Sequence, residues 1–163
     1  MSTGGEWIGR ACSLGKGIGL AQSAKKHVIF DWQSTGAVSG AQELFSVGGT
    51  VAVTAFATCE MNLTAESGTA TLSLGTDNAA EHFISGTTAT GIDTGEIWGP
   101  VLSTSQGLWS GIASKWTILH NTDIGYTVGT APIISGRMTF YALWQPISPG
   151  SWLEVNNSSG ATL

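Results

Sequence analysis

The chain has 163 residues, of which only 10% are charged, and it contains 23 glycines. This length is most simply one domain, and a composition rich in Gly, Ser and Thr disfavours surface helices and favours strands joined by tight turns. Its two cysteines, Cys12 and Cys59, are too few for a disulfide framework, and they do not have the spacing of a zinc site. No signal peptide or membrane-spanning apolar run is visible, so we expect a soluble protein made in the cytosol.

The N-terminal segment, residues 1–26, differs in charge from the rest of the chain. It has a net charge of +3, and residues 27–163 have −8, within a total of −5; its charged residues are Glu6, Arg10, Lys16, Lys25 and Lys26. Scattered glycines without helical or alternating periodicity predict an extended basic arm. Its charge suits an acidic protein neighbour better than nucleic acid. The glycines around Lys16 do not have the spacing of a phosphate-binding loop, so a nucleotide site is disfavoured.

Alternation of apolar and polar residues begins at residue 27. In residues 27–32, Val28, Phe30 and Trp32 share one face, and a short strand is predicted in residues 42–47. The clearest strand covers residues 50–64, where every odd position from Val51 to Leu63 is apolar. Because this strand is longer than usual, we expect a bulge or bend in it, near Phe56.

The second half of the chain shows further strands separated by turn residues. Strands are predicted at residues 69–76 and 80–85, across residues 116–128 with a turn or bulge near Asn121, and at residues 137–147; Ile97 and Trp98 stand just before the punctuating Gly99-Pro100. Residues 103–114 resemble a long loop. The inward positions expected in these strands are Ala70, Leu72, Leu74, Trp116, Ile118, Ile124, Tyr126, Val128, Met138, Phe140, Ala142 and Trp144. Seven or eight strands without a helical pattern predict an all-β, jelly-roll-like antiparallel sandwich over residues 27–155, followed by a flexible tail at residues 156–163.

Residues that could carry chemistry are scattered. His27, His82 and His120 fall on three different predicted elements, and no metal-ligand spacing or nucleophile elbow is present. Asp93 and Glu96 are three residues apart; they are a carboxylate pair, a calcium loop or, more simply, solvated loop acids. We therefore expect no catalytic residue, no cofactor site and no metal site.

The seven tryptophans divide into two groups. Trp32, Trp116 and Trp144 lie on predicted apolar faces and are expected in the core. The other four lie in the arm or in loops, where an indole can anchor a protein contact or stack on a sugar; they are Trp7, Trp98, Trp109 and Trp152.

Residues 50–150 contain an ordered set of phrases: CEMNLTAESGTATLSLGT, TTATGIDTGEIW and HNTDIGYTVGTAPIISGRMTFYALWQPISPGS. Within the last, a Thr-Ala-x-Ile-x-x-Gly phrase leads into an aromatic strand; its positions are Thr130, Ala131, Ile133, Gly136, Tyr141, Trp144, Pro146 and Gly150. In these phrases the chain resembles small structural proteins of tailed bacteriophages. The resemblance implies a β-sandwich virion component that decorates or cements the capsid shell as an oligomer, and it brings no catalytic residues.

The sequence therefore predicts a decoration protein of the virion, made in the host cytoplasm and trimeric around a local three-fold axis. Its expected partners are the major capsid protein and further copies of itself, without a membrane and with nucleic acid disfavoured. The predicted contact residues are Trp7, Arg10, Lys16, Lys25, Lys26, Trp98 and Trp109. Two alternatives stay open, a neck, tail or fibre-base protein and a carbohydrate-binding module; an enzyme is disfavoured.

Overall fold

The computed structural model describes residues 21–34, 36–100 and 116–157. These residues form nine strands and one 3₁₀ turn at Ala89–Gly91. The strands are β1 (Gln22–Asp31), β2 (Val38–Gly48), β3 (Thr50–Ala65), β4 (Thr71–Thr76), β5 (Ala79–Thr88), β6 (Ile97–Trp98), β7 (Thr117–His120), β8 (Ile124–Pro146) and β9 (Trp152–Val155). The prediction of an all-β, sandwich-like fold is confirmed.

Strand β8 is the centre of the sheet. It has 23 residues and is paired along both of its edges, always antiparallel. β1 and then β2 follow one edge, while β3 and then β4 follow the other. β9 extends the sheet beyond β2, β5 extends it beyond β4, and β6 and β7 both pair with β3.

A sharp bend in β8 folds this single sheet into two layers. The rings of Tyr126 and Phe140 are stacked with centroids 5.2 Å apart, although a straight strand would separate these residues by about 46 Å. Thr130 (φ 67°) and Gly136 (φ 131°) lie between them, at the bend. The first layer contains β1, β3, β6, β7 and the second half of β8; the second layer contains β2, β4, β5, β9 and the first half of β8.

The core lies between the two layers and follows the predicted alternation. In β3, odd positions from Val51 to Cys59 and Leu63 are buried, whereas Met61 is 44% exposed. The long strand is irregular as expected, but its register shifts fall between Cys59 and Ala65, so the predicted position near Phe56 is wrong. The physical reason is the bend: this part of β3 pairs with residues 133–138 of β8 and has to follow its change of direction.

Trp144 is buried as predicted, but the prediction that Trp32, Trp116 and Ile118 are core residues is wrong. Trp32 follows the last residue of β1 and lies in a turn, where it is 58% exposed. In β7 the register sets Leu119 opposite buried Val51, so Leu119 faces the core and its neighbour Ile118 faces outward. The predicted turn near Asn121, which has φ 46°, separates β7 from β8 and breaks the alternation between the two strands.

Both predicted boundaries of the body shift outward along the chain. β1 begins at Gln22, so residues 22–26 belong to the sheet and not to an arm. At the other end, the Asn156 N–H donates to the Leu44 carbonyl, which extends the ordered body past residue 155. Residues 1–20, the loop expected at residues 103–114 and residues 158–163 lie outside the described residues.

Candidate interaction surface

The predicted contact residues fall in three different settings. Trp7, Arg10, Lys16 and Trp109 lie outside the described residues. Lys25 is exposed on β1, in register with Tyr141. Lys26 is 7% exposed and Trp98 is 4% exposed, so the prediction that these two side chains are free to bind a partner is wrong.

Lys26 closes one side of the sandwich. Its Nζ donates to the Glu43 carbonyl at 3.0 Å and to the Asn156 carbonyl at 2.5 Å, joining β1 of the first layer to β2 and the end of β9. The Asn156 amide in turn donates to the Glu43 carboxylate at 2.5 Å. Burial lowers the pKa of Lys26, and the nearby Glu43 carboxylate partly opposes this shift.

The opposite side of the sandwich is closed by β5 against β6 and β7. Trp98 Nε1 donates to Thr87 Oγ1 at 3.2 Å, which satisfies its only polar atom inside the fold. His82 Nε2 and Thr117 Oγ1 form a second hydrogen bond between the same layers, also at 3.2 Å. Trp98 therefore anchors the two layers to each other.

The outward side of the first layer carries a set of apolar residues that we call the apolar face. The register sets Ala52 between Gln145 of β8 and Ile118 of β7, and sets Phe56 beside Tyr141. The rings of Phe56 and Tyr141 stack at 5.0 Å with 13° between their planes. The apolar face consists of Ala52, Phe56, Trp116, Ile118, Tyr141, Leu143 and Ile147. Ile118 is 67% exposed and Ile147 is 53% exposed, so its end near the start of β3 is open to solvent.

The outward side of the second layer has a different chemistry. Its register aligns Ala41, Thr127 and Ser73 in one row, and Glu43, Gly125 and Gly75 in the next. These side chains are small or polar. The two outer surfaces of one sandwich are therefore unlike, and only the first layer presents aromatic and long aliphatic side chains in adjacent rows of the described residues.

Exposed positive charge in the described residues lies on the outward side of the first layer, at and beyond the margin of the apolar face. Their three basic residues are Lys25, Lys26 and Arg137, and Lys26 is buried. Lys25 pairs with Tyr141, and Arg137 lies on the same side of β8 as Tyr141. Most of the ten acidic residues lie elsewhere: five in the second layer and its turns (Glu43, Asp77, Glu81, Asp123, Glu154) and four in or next to turns at the bent end (Asp31, Glu66, Asp93, Glu96).

The tenth acid, Glu60, belongs to a polar cluster at the same margin. Thr139 Oγ1 donates to Glu60 Oε1 at 2.6 Å and lies 2.8 Å from His27 Nδ1, and the His27–Glu60 pair is separated by 3.5 Å. A nucleophilic hydroxyl has to give its proton to a base as it attacks an exposed substrate. Thr139 is only 5% exposed and already donates to a carboxylate, so the cluster joins β1, β8 and β3 and does not present a nucleophile.

A second polar cluster supports the open end of the apolar face. Asn121 Oδ1 accepts from the Gly49 N–H at 2.7 Å, which leaves Asn121 Nδ2 to donate to His120 Nε2 at 3.1 Å. The proton of His120 is therefore on Nδ1, which donates to Thr50 Oγ1 at 2.9 Å. Thr50 also accepts at its carbonyl from the Ile147 N–H, so this corner holds the strand ends that carry Ile118 and Ile147.

The remaining candidates for chemistry have structural roles. The Asp93 N–H donates to Glu96 Oε2 at 3.0 Å, and the Glu96 N–H returns to the Asp93 carbonyl at 3.0 Å, which closes a turn. Cys59 is buried, and its burial raises the pKa of the thiol. Within residues 21–34, 36–100 and 116–157, no three His, Cys, Asp or Glu side chains are grouped so that they could hold a metal ion. In the same residues, no helix has the length and apolar character needed to cross a membrane.

Comparisons with protein-family models, curated proteins and solved structures found no match to this chain.

Sequence reasoning did not identify the apolar face, although a signal for it was present. On the polar side of β3, Ala52 and Phe56 interrupt the run of Thr, Glu and Asn. Tyr141 and Leu143 do the same on the outer side of the last predicted strand. Interruptions in neighbouring strands form a surface only if the register aligns them, and the register is a property of the folded sheet.

Proposed function

We propose that this chain is a structural component of a tailed-phage virion that decorates or cements the capsid shell by binding, without catalysing a reaction. The phrase that carries the sequence resemblance occupies the bend of β8. Thr130 and Gly136 have positive φ there, and a Cβ on Gly136 would lie 2.9 Å from the Asn62 carbonyl oxygen. Two positions of the phrase thus lie where the sheet folds into two layers, which supports a sandwich of the kind that the resemblance implies.

The observation that carries the proposed binding role is the apolar face with its basic margin. An apolar surface rimmed by polar residues is typical of a protein interaction site, whereas single exposed apolar side chains are ordinary. The end of the face at Ile118 and Ile147 is exposed, and Lys25 lies beside Tyr141, on a body whose other charges are mostly acidic. Such a surface suits a broad protein partner, with charge guiding orientation.

The N-terminal segment enters the body at the open end of this face. β1 starts at Gln22, which pairs with Trp144, and β8 ends two residues later at Pro146. A segment of residues 1–20 can reach at most about 66–72 Å from that point. The proposed arm would extend the interface without enlarging the body, through contacts of Trp7, Arg10 and Lys16 with a neighbouring subunit.

Copy number per particle tests the location. Phage particles from a host that produces this protein are purified, and the chain is quantified by mass spectrometry against the major capsid protein. Hundreds of copies support decoration of the shell, tens or fewer support the neck, tail or fibre base, and none refutes a virion role. Shells lacking the protein are then incubated with the full chain and with a variant that starts at Ala21. We expect the variant to bind at least tenfold more weakly; equal binding would remove the arm from the proposal.

The carbohydrate-binding alternative depends on exposed indoles. Trp32 (58% exposed) lies at the bent end of the sandwich and Trp152 (44% exposed) at the opposite end, so the two rings are not adjacent. A fluorescence titration with polysaccharides tests each site. Saturable quenching that is lost in Trp32→Ala or Trp152→Ala would favour a carbohydrate-binding module.

A further inference from the structure

We propose that Lys26 and Asn156 form an isopeptide bond, in which Nζ of the lysine replaces Nδ2 of the asparagine and Glu43 transfers the proton. The bond joins β1 of the first layer to the end of β9 in the second layer. This modification concerns the body of the protein itself, so it goes beyond the proposed virion role and does not depend on it.

The three side chains meet where β1, β2 and the end of β9 converge. Nζ of Lys26 lies 2.5 Å from the Asn156 carbonyl oxygen and 3.0 Å from the Glu43 carbonyl oxygen. Nδ2 of Asn156 lies 2.5 Å from Oε2 of Glu43 and 3.3 Å from Oγ of Ser46. An amine, a carboxamide and a carboxylate are therefore in one connected cluster, although Lys26 and Asn156 are 130 residues apart in the chain. These groups are the nucleophile, the acyl group and the proton carrier that an amide exchange requires.

The position of Lys26 favours the neutral, nucleophilic form of its amine. The register sets Lys26 opposite buried Phe140, and its inward neighbours along β1 are Ala24 and Val28, which pack against the core. An amine attacks a carbonyl carbon only when it is unprotonated. Burial lowers the pKa of Lys26, although the Glu43 carboxylate partly opposes this, so a larger fraction of the amine is neutral at a given pH.

The reacting atoms come within reach of each other through side-chain rotation. Cγ of Asn156 is attached through Cα and Cβ to the carbonyl group that Nζ contacts, so χ1 of Asn156 sets its distance from Nζ. The long, flexible side chain of Lys26 allows Nζ to move from the carbonyl oxygen to Cγ. The Asn156 N–H donates to the Leu44 carbonyl, which holds this backbone beside Lys26 while the side chains turn.

The atoms and protons of the reaction balance within the cluster. Neutral Nζ of Lys26 attacks Cγ of Asn156, the Glu43 carboxylate takes a proton from Nζ, and the same carboxyl group then protonates Nδ2. The Cγ–Nδ2 bond breaks, ammonia leaves, and an Nζ–Cγ amide bond takes its place. The hydrogen bond from Nδ2 to Glu43 Oε2 already places the proton carrier on the leaving nitrogen. The step is an acyl transfer and consumes no oxidant or reductant.

The bond ties the two layers together more firmly than hydrogen bonds do. It closes a ring of chain from residue 26 to residue 156, and a cross-link over a long loop restricts the unfolded chain more than the folded one. We expect the linked chain to unfold at a higher urea concentration than the unlinked chain. The hydrogen bonds of Lys26 described above belong to the unlinked reactant, so stability comparisons of Lys26 variants use chain whose mass shows a free lysine.

Intact mass spectrometry of the purified, folded full chain, followed over several days at growth temperature, tests the reaction. We expect a growing fraction that is lighter by one ammonia. Tandem mass spectra of its digest should contain a branched peptide in which residue 26 is joined to residue 156. A succinimide formed at an asparagine also loses ammonia, but it gives no branched peptide and is opened by hydroxylamine, so the two products are distinguishable.

Variants of the cluster assign the roles of its side chains. Lys26→Met and Asn156→Ser should give no branched peptide, and Glu43→Gln should form it at least about tenfold more slowly, because it lacks the proton carrier. Lys25→Met and Asn157→Ser are the matched controls, since each changes the exposed neighbour of the same residue type. Both controls should form the bond at the rate of the native chain. Circular dichroism checks that every variant is folded.

A native chain that stays folded and keeps its full mass would overturn the inference, and so would a branched peptide through Lys25 or Asn157. An equal rate in folded Glu43→Gln would refute the role of the carboxylate. The native chain dissolved in urea should form no branched peptide, because only the fold brings the two residues together; reaction there at the same rate would refute the geometric argument. Finding the bond in a chain that is absent from virions would refute the proposed location and leave the modification established.

Discussion

Gly136 provides the most direct test of how the sheet folds into two layers. It has φ 131°, a region that side-chain-bearing residues rarely adopt, and a Cβ added to it would lie 2.5 Å from Leu63 Cδ2 and 2.9 Å from both Leu63 Cα and the Asn62 carbonyl oxygen. The Leu63 methyl could rotate away, but the two backbone atoms of β3 cannot. Backbone strain of about 1–3 kcal/mol and overpacking of about 1–3 kcal/mol add, so Gly136→Ala should lower the free energy of unfolding by about 2–6 kcal/mol.

Gly68→Ala is the matched control, because Gly68 also has positive φ (63°) but a Cβ there would meet nothing within 4 Å. Only the strain of the left-handed conformation remains, about 1 kcal/mol. Urea unfolding followed by tryptophan fluorescence measures both variants, and the melting temperature of Gly136→Ala should fall by about 4–24 °C. If Gly136→Ala and Gly68→Ala lose the same stability, the close approach of β3 to the bend of β8 is wrong.

Four further predictions concern Lys26, Cys59 and the start of β1. Lys26→Ala should cost about 1–3 kcal/mol because two partly buried carbonyls lose a donor, a loss that urea unfolding measures. Burial lowers the pKa of Lys26 below 10.5 in the folded state, so the unfolded chain binds more protons between the folded-state pKa and 10.5. The stability of the native chain relative to Lys26→Met should therefore rise with pH across that window. A stability difference that does not change with pH would contradict the burial of Lys26. In a Cys12→Ser variant, the Cys59 thiol should react with a disulfide reagent only as fast as the protein opens. The thiol is buried and its pKa is raised, so little accessible thiolate is present in the folded state. Rapid reaction of the native protein would contradict this prediction. A chain starting at Ala21 should keep the circular dichroism and melting temperature of the full chain, whereas one starting at His27 loses half of β1 and Lys26 and should melt well below it.

The two closed sides explain how a body with few charged residues is held together. On one side Lys26 satisfies carbonyls of the second layer, and on the other Trp98 and His82 contact hydroxyl groups across the layers. Each bond joins different strands of the fold. The polar groups at these edges thus have internal partners, which is the condition for burying them without a large penalty.

Local patterning determined much of this protein. Alternation identified β3, β4 and both halves of β8, and it assigned Leu72, Tyr126 and Phe140 to the core, because a strand with one buried face has to alternate. Glycine and turn residues located the break near Asn121. Composition determined the all-β class, since few residues suited to exposed helices are present.

Tertiary structure decided what alternation cannot encode. The pattern treated residues 116–128 as one strand with one inward face, but the turn at Asn121 changes the face, so Ile118 points outward while Ile124 points inward. The same limit applies to Lys26. Its charge predicts an exposed side chain, but its Nζ donates to a carbonyl of β2 and to one at the end of β9, which is more than a hundred residues away in the chain. The bend of β8 and the register of its partner strands decide which side of a strand faces the other layer. They also decide which polar atoms lie within hydrogen-bonding distance there. The apolar face exists for the same reason: the strands β3, β7 and β8 bring their outward apolar residues into adjacent rows only after the sheet has formed.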